Sequence, residues 1–184
     1  MKKKHILVTG GAGFIGSFLV DRLVDLGHRV RILDFLDPQV HRRKIPSYLN
    51  QKAEFMKGMI EKKSDVIRAL NHIDVVFHLA ASVGVAQSNY EIKKYTDTNI
   101  GGMANLLDVV VSKKLPVKKI IMTASMTSYG EGTCLCARCG TVKPNLRSEE
   151  QLSAKEWELH CPVCTRLVTP IRTKEDASII NNSM

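Results

Sequence analysis

The chain has 184 residues, 44% of them hydrophobic, which suits one domain of ordinary size with a hydrophobic core. Its apolar runs fall well short of the roughly 20 residues that a membrane-spanning helix needs, so we expect no membrane partner. The formal charge of +9 is spread along the chain, which is typical of solvated loops and argues against a nucleic-acid surface. The same charge would favour a small anionic ligand.

The amino terminus, Met-Lys-Lys-Lys-His, has the basic character of the start of a signal peptide. The apolar stretch behind it is soon interrupted by Thr9-Gly10-Gly11, so we do not expect export. We therefore predict a cytoplasmic protein. Its five cysteines, four of them in Cys-x-x-Cys pairs, favour metal binding over disulfides in that compartment.

The segment from His5 to Asp34 predicts a strand, a glycine turn, a helix and a second strand. Ile6 to Val8 is strand-like, and the glycines follow as Gly10, Gly13 and Gly16. Val30 to Leu33 predicts the second strand, which finishes at Asp34. Between the turn and this strand, apolar residues recur at helical spacing and predict one buried helix face: Phe14, Ile15, Phe18, Leu19, Leu23, Val24 and Leu26.

Each part of this segment suits a dinucleotide ligand, although a purely structural turn is the alternative. Gly10 permits the tight turn, Gly13 lets the backbone approach a pyrophosphate, and Gly16 lets the helix pack closely on the sheet. The helix N-terminus attracts the phosphates. Asp34 is placed to accept hydrogen bonds from the adenosine ribose hydroxyls.

Further strands and helices alternate along the next hundred residues. Strands are predicted at 53–56, 74–80 and 118–123, with the second buried on both faces, and helices at 62–70 and 91–111. This alternation predicts an α/β fold, a Rossmann-type doubly wound parallel sheet with right-handed crossovers. We assign residues 1–130 to this dinucleotide-binding domain.

The region 131–173 loses the alternation and is predicted to be a loop-rich insert, followed by a return segment at 174–184. Two Cys-x-x-Cys pairs in it predict a tetrahedral, structural zinc site with the ligands Cys136, Cys139, Cys161 and Cys164. A redox pair and fortuitous spacing are the alternatives. Gly140 suits the turn after the first pair, whereas Thr165 after the second departs from the pattern. Cys134 is expected to be a bystander. His160, beside Cys161, is an alternative ligand, but it is expected to point to the wrong side of the turn.

Several motifs together resemble one family, the extended short-chain dehydrogenase/reductases, and within it the NAD-dependent nucleotide-sugar epimerases. They lie in the family's order within residues 5–130: Val8-Thr9-Gly10-Gly11-Ala12-Gly13-Phe14-Ile15-Gly16, Asp34, Val76-Phe77-His78-Leu79-Ala80-Ala81, Thr98-Asn99-Ile100-Gly101-Gly102 and Thr123-Ala124-Ser125-Met126-Thr127-Ser128-Tyr129-Gly130. Similar epimerase-like proteins carry a cysteine-rich insert after the Tyr-Gly. The resemblance predicts NAD as cofactor and a nucleotide sugar as substrate.

The resemblance also implies residue roles. Asp34 would bind the adenosine ribose and favour NAD over NADP, Asn99 would lie near the cofactor, and Ser125 would hydrogen-bond the reacting sugar hydroxyl as the catalytic serine. Tyr129 would be structural. The pyrophosphate would be cradled by Gly10, Gly13, Phe14, Ile15 and Gly16, and the passage to the nicotinamide lined by Leu79, Ala80 and Ala81.

Two positions depart from the family pattern. Gly58 is followed by Met59 where the family often has an aspartate that touches the adenine. The catalytic Tyr-x-x-x-Lys does not follow Ser125, and the pairs Tyr48-x-x-x-Lys52 and Tyr90-x-x-x-Lys94 precede it and are interpreted as chance. We therefore expect an N-terminal fragment that binds the cofactor but has negligible turnover alone.

The function implied is NAD-dependent epimerisation of a nucleotide-diphosphate sugar by transient hydride transfer. Met126-Thr127-Ser128 lacks the Asp-Glu of the dehydratase branch, which favours an epimerase. The alternative is a non-catalytic NAD-binding sensor or interaction module whose contact surface is the zinc insert. Nucleic-acid binding by the insert is weaker, because its charges are mixed and Trp157 is its one aromatic residue. The resemblance also implies a homodimer, for which the helix at 91–111 is the candidate interface.

Overall fold

The computed structural model describes residues 2–41 and 44–177, so residues 178–184 of the expected return segment lie outside the described residues. The chain divides after Thr123 into two compact units. Within the described ranges, no helix is both long enough and apolar enough to cross a bilayer.

The first unit contains a five-stranded parallel sheet in the order β3-β2-β1-β4-β5. Its strands lie where the sequence predicts them: β1 (His5–Thr9), β2 (Arg29–Asp34), β3 (Glu54–Lys57), β4 (Val75–His78) and β5 (Lys119–Met122). The predicted Rossmann-type α/β fold is confirmed. Because all strands are parallel, the carboxyl ends of β1, β2 and β4 meet at one edge, with β1 in the centre.

Helices cover both faces of this sheet, which is why its central strands are apolar throughout. Ile6 and Val8 of β1 pack in one core cluster with Val20 and Leu23 of α1. Leu7 between them packs on the opposite face with Val66 and Leu106. The helices are α1 (Phe14–Asp25), α2 (Pro38–His41), α3 (Lys63–Ala69), α4 (Val85–Ser88), α5 (Ile92–Tyr95) and α6 (Gly102–Ser112).

The buried face of α1 differs from the predicted one. Its buried residues are Gly16, Ser17, Val20 and Leu23, whereas Phe14, Ile15 and Phe18 are 81%, 66% and 66% exposed. Leu23 is buried and Leu19 and Val24 pack against the core as predicted. The prediction was wrong for Phe14, Ile15 and Phe18, because hydrophobicity alone was used to choose the face. Close contact between the helix and the glycine turn requires small side chains, so the small residues face the sheet.

The predicted long helix is continuous but irregular. Between α5 and α6 the backbone forms a π-helical segment, Thr96–Gly101. Such insertions are frequent at functional sites because the extra residue re-aims side chains. Buried Thr98 donates its hydroxyl proton to the Glu61 carboxylate, and the Asn105 amide donates to the carbonyls of Ile60 and Glu61 at 3.2 and 2.7 Å. The segment after β3 is thereby attached to this helix.

The second unit is more regular than the predicted loops. It contains a 3₁₀ turn (Met126–Tyr129), α7 (Glu149–Ser153) and an antiparallel sheet with the order β7-β6-β8. The strands of this sheet are β6 (Thr133–Cys136), β7 (Gly140–Val142) and β8 (Thr169–Ile171). Cys134, Cys136, Cys161 and Val168 form its small core. Periodicity did not reveal these three- and four-residue strands, since alternation cannot be recognised over so few positions.

Candidate functional site

The glycine turn follows β1 at the carboxyl edge of the parallel sheet. Gly10 has φ +68°, and a Cβ placed there would lie 2.8 Å from the amide nitrogen of Ala80. Its own amide donates to the Leu33 carbonyl at 2.9 Å. Glycine is therefore required at position 10 for two reasons: the left-handed backbone, and the close approach of β1 to the chain leaving β4.

Gly16 and Gly13 differ in what surrounds them. A Cβ at Gly16 would collide with the Gly10 carbonyl oxygen and the Gly11 Cα, so this glycine brings the first turn of α1 onto the loop. A Cβ at Gly13 would meet only the Gly10 carbonyl oxygen, at 3.3 Å. Packing within the protein thus demands glycine less strongly at 13 than at 16, which fits a position kept small for a ligand.

The N-terminus of α1 offers unpaired donors. The first helical hydrogen bond runs from the Ser17 amide to the Gly13 carbonyl at 2.9 Å, so the amides of Phe14, Ile15 and Gly16 have no partner within the helix. Together with the helix dipole these amides form an anion-binding site. The side chains of Phe14 and Ile15 are exposed beside it, and the ring of Phe14 contacts Phe18 edge to face, with centroids 5.5 Å apart.

Asp34, at the end of β2, is joined directly to the glycine turn. Its Oδ2 accepts from the Ala12 amide at 3.0 Å, and its Oδ1 accepts from the Leu36 amide at 2.8 Å. Each carboxylate oxygen has two lone pairs, so one on each remains for a ligand hydroxyl. The two sequence features that suggest a dinucleotide therefore meet at Ala12.

Leu79, Ala80 and Ala81 leave the end of β4 next to Gly10. The Thr9 hydroxyl accepts from the amides of Leu79 and Ala80, both at 3.2 Å, and lies 2.8 Å from His78 Nδ1. The Leu79 amide also donates to the Thr9 carbonyl at 3.1 Å, so Thr9 holds the start of this loop through both its backbone and its side chain. Burial lowers the pKa of His78, which favours its neutral form.

Asn99 lies in the π-helical segment and holds the next residue of this loop. Its Oδ1 accepts from the Ser82 amide at 2.8 Å, and its Nδ2 donates to the Ser82 carbonyl at 3.0 Å. The side-chain amide thus pairs with both backbone groups of one residue. This fixes the course of the chain directly after Ala81.

Met59 takes the place of the family's aspartate at the carboxyl end of β3. Its side chain is 44% exposed, and its amide donates to Oδ2 of buried Asp65 at 3.0 Å. The Asp65 pKa is lowered: burial would raise it, but the Met59 amide and the Arg68 guanidinium outweigh that effect. Asp65 is therefore a loop anchor, and the exposed group at position 59 is a thioether.

Ser125 belongs to the second unit, where it caps the 3₁₀ turn. Its Oγ accepts from the Thr127 amide at 3.2 Å and lies 2.6 Å from Thr127 Oγ1. The hydroxyl of Tyr129, in the same turn, donates to the Glu175 carbonyl at 3.2 Å. Thr9 and His78 were not singled out as site residues, because a contact across separate strands leaves no local pattern in the sequence.

The four predicted metal ligands converge in the second unit. The Sγ atoms of Cys136, Cys139, Cys161 and Cys164 all lie within 4.8 Å of one another. The amides of Cys139 and Arg138 lower the pKa of Cys136 to about 6, whereas the Cys164 thiol and burial raise that of Cys139 to about 12. In the described part of the chain Cys134 and His160 are not in this group.

The arrangement fits a zinc ion. A tetrahedral site with Zn–S bonds of 2.3 Å places the sulfurs roughly 3.8 Å apart, close to the spacing seen here. The turns after the two pairs are equivalent, since Gly140 and Thr165 have φ of +75° and +59°. Thr165 therefore adopts the left-handed conformation expected of glycine, although its branched side chain disfavours it.

Comparison with known proteins finds similarity to nucleotide-sugar epimerases. The profile of the NAD dependent epimerase/dehydratase family matches residues 6–148. The dTDP-L-rhamnose 4-epimerase of Burkholderia thailandensis is 35% identical over 158 residues, which is 84% of this chain and 44% of that protein. This chain thus spans less than half the length of that relative.

Solved structures of two UDP-glucose 4-epimerases are also similar to this chain. The UDP-glucose 4-epimerase of Thermotoga maritima, crystallised with UDP-glucose, is 39% identical with a TM-score of 0.61, covering 70% of this chain and 40% of that one. The UDP-glucose 4-epimerase of Brucella ovis, in complex with NAD, is 28% identical with a TM-score of 0.59, covering 69% and 37%.

Proposed function

The chain belongs to the NAD-dependent epimerase/dehydratase family, and we propose that it is the NAD-binding part of an enzyme that inverts one carbon of a nucleotide-diphosphate sugar. The observation that carries the proposal is the meeting of the glycine turn and Asp34 at Ala12. When bound, the cofactor supplies reversible hydride transfer, by which a ring carbon is oxidised and then reduced from its other face.

The residues of the first unit would each have one task in binding. The amides at the start of α1 bind the pyrophosphate, and the free lone pairs of Asp34 accept from the adenosine ribose. A carboxylate at this point repels a 2′-phosphate, which supports NAD over NADP. Leu79, Ala80 and Ala81, fixed by Thr9 and Asn99, line the passage to the nicotinamide.

Binding of the dinucleotide can be measured on this chain itself. Titration calorimetry of the full chain should detect NAD and show at least tenfold weaker binding of NADP. Asp34→Asn should reduce the preference for NAD over NADP, because it removes the carboxylate charge that repels the 2′-phosphate and keeps one hydrogen-bond acceptor. A chain that binds neither dinucleotide would refute the proposal.

The substrate class follows from the relatives and from Ser125, which would hydrogen-bond the reacting hydroxyl. The match to the dTDP-L-rhamnose 4-epimerase includes part of the second unit, since 84% of 184 residues cannot all lie before residue 131. The relatives therefore support two candidate substrates, a dTDP-deoxyhexose and a UDP-hexose. The test is epimerisation of both sugars by the protein that contains this chain, with Ser125→Ala as the variant that loses turnover. Absence of turnover on every nucleotide sugar would favour an NAD-binding sensor.

The four-cysteine cluster is proposed to hold one structural zinc. With four thiolates the metal has no open position, so its role is to hold the second unit together. Metal analysis should find one zinc per chain. Cys161→Ser should lose it, and Cys134→Ser, the matched control outside the cluster, should keep it. Stoichiometric zinc in the Cys161→Ser protein would contradict the assignment.

We also propose that the protein is a homodimer. The π-helical segment and α6 would form its interface, since they carry the exposed apolar residues Ile100, Leu107 and Val111. Light scattering at several concentrations, with Leu107→Glu as the disrupting variant, tests it. We also propose a cytoplasmic location, which the four cysteines support because they are placed for metal binding and form no disulfide.

A further inference from the structure

One contact of the glycine turn comes from a segment to which no function has yet been assigned. The hydroxyl of Tyr48 donates to the Ala12 carbonyl, with an O···O distance of 2.7 Å. Ala12 is wholly buried. A buried carbonyl left without a donor destabilises the fold, so this bond matters for the turn. Tyr48 begins one of the two Tyr-x-x-x-Lys pairs whose spacing alone was interpreted as chance.

Ala12 is held from two directions. Its amide donates to Asp34 and its carbonyl accepts from Tyr48. The Ala12 carbonyl and the Gly13 amide belong to one peptide group, and that amide donates to the Gly10 carbonyl at 3.1 Å. Tyr48 and Gly10 therefore fix the plane of this peptide from its two sides, directly before the free amides of α1.

This peptide needs such a restraint. A glycine at position 13 makes rotation of the Ala12–Gly13 peptide inexpensive, because glycine has access to backbone conformations that other residues avoid. Rotation would exchange the positions of the Ala12 carbonyl and the Gly13 amide directly before the free amides of α1, and would break the bond from the Gly13 amide to the Gly10 carbonyl. The hydroxyl of Tyr48 opposes this by holding the carbonyl where it is.

Tyr48 is itself anchored well enough to act in this way. The next residue, Leu49, is buried in the core beside β2, and Asn50 Nδ2 donates to Asp21 Oδ1 on α1 at 2.9 Å. Burial and the charge of Asp34 raise the pKa of Tyr48, so the phenol keeps its proton near neutral pH. The side chain is therefore a fixed donor, although the residue is 56% exposed.

We propose that Tyr48 is a positioning residue for the dinucleotide: it orients the Ala12–Gly13 peptide so that the N-terminal amides of α1 face the diphosphate. The proposal rests on the NAD site described above. Tyr48 acts through the glycine turn and needs no contact with the ligand. It applies to any ligand with an adenosine diphosphate moiety, so NAD and ADP should depend on it equally.

The test compares Tyr48→Phe with Tyr90→Phe in the full chain. Tyr90 is the matched control, since it also begins a Tyr-x-x-x-Lys pair and is 88% exposed. Calorimetry should show Tyr48→Phe binding NAD and ADP about five- to tenfold more weakly, which corresponds to one neutral hydrogen bond. Tyr90→Phe should match the unsubstituted chain. Without ligand, the NMR signals of the Ala12 carbonyl and the Gly13 amide should move only in Tyr48→Phe.

A second variant covers the case in which Tyr48→Phe does not fold. Fluorinated tyrosine at position 48 keeps the ring and ionises at lower pH, so NAD affinity should fall as its phenol ionises and ceases to donate. Unchanged affinity and unchanged Gly13 signals in the Tyr48 variants would overturn the role of Tyr48 alone. Failure of the unsubstituted chain to bind NAD and ADP would overturn the NAD site, and this role with it.

Discussion

Gly16 and Gly101 both lie in helical segments, yet only Gly16 touches the backbone of a neighbouring segment. A Cβ at Gly16 would collide with the Gly10 carbonyl, whereas at Gly101 the nearest atom would be 3.8 Å away. We predict that Gly16→Ala lowers the free energy of unfolding by about 1–3 kcal/mol and weakens NAD binding. Gly101→Ala should leave stability unchanged or raise it by up to about 1 kcal/mol. Urea unfolding of both variants checks this, and equal stabilities would contradict it.

His78 predicts a specific dependence of stability on pH. Burial lowers its pKa from the ordinary 6.5, so the unfolded chain binds the proton more readily than the native one. Its stabilising contribution is therefore complete above pH 6.5 and declines as the pH falls through the native pKa. We predict that His78→Gln shows a smaller loss of unfolding free energy between pH 7.5 and 5.5 than the unsubstituted chain.

The contribution of His5 to the pH dependence of stability must be separated from that of His78. Burial and the charges of Arg31 and Arg29 also lower the His5 pKa, which contributes in the same direction. His5→Gln is therefore the matched variant, and the two contributions should add, since the side chains lie at opposite ends of neighbouring strands. A pH dependence unchanged in His78→Gln would show that this ring is not held neutral.

In the second unit, the segment at the start of the insert is paired with the segment at its end. Thr133 pairs with Ile171, the Thr133 amide donates to Thr173 Oγ1 at 3.0 Å, and Tyr129 bonds to Glu175. Segments whose ends meet can be removed with little strain on what remains. We therefore expect the rest of the chain to keep its fold without the insert.

We predict that replacing residues 131–173 by a short Gly-Ser linker leaves NAD affinity within about twofold. The reason is that every strand pairing of the parallel sheet lies within residues 5–122. Calorimetry and far-ultraviolet circular dichroism provide the measurements, with Cys161→Ser in the full chain as control. Loss of the parallel sheet in the shortened chain would disprove the independence of the two units.

At the scale of the whole molecule, the two units should respond differently to removal of metal. Each has its own core, and the second has few buried apolar residues besides its cysteines. A unit of that size would depend on the proposed zinc for its stability. Trp157, the only tryptophan in the chain, lies in the second unit and reports on it alone.

We therefore predict that a strong zinc chelator changes the fluorescence of Trp157 and abolishes the unfolding transition of the second unit. NAD binding and the transition of the first unit should persist. Re-addition of zinc should restore the fluorescence, which distinguishes metal loss from irreversible damage. A first unit that unfolds on chelation would contradict separate stabilisation.

The sequence by itself determined the parallel sheet, the order of its elements, the glycine turn and the four cysteines that converge. These follow from signals that are local: apolar runs, glycine at fixed spacing, and paired cysteines. The small strands of the insert were not predictable in this way, because they are too short for alternation to be recognised. The face that α1 buries was only partly predictable, because its first turn must be small where it touches the glycine turn, and hydrophobicity does not show that.

Only the tertiary structure decided which groups act together at the turn. Asp34, Tyr48 and Ala12 come from three separate segments, and Thr9, His78 and Asn99 fix the loop after β4 from two strands and a helix. Hydrogen bonds between distant segments leave no spacing rule in the chain, since the partners are brought together by the packing of the sheet. The Tyr48-x-x-x-Lys52 spacing in the sequence indicates no role for Tyr48. The contact of its hydroxyl with the Ala12 carbonyl in the folded chain does indicate one.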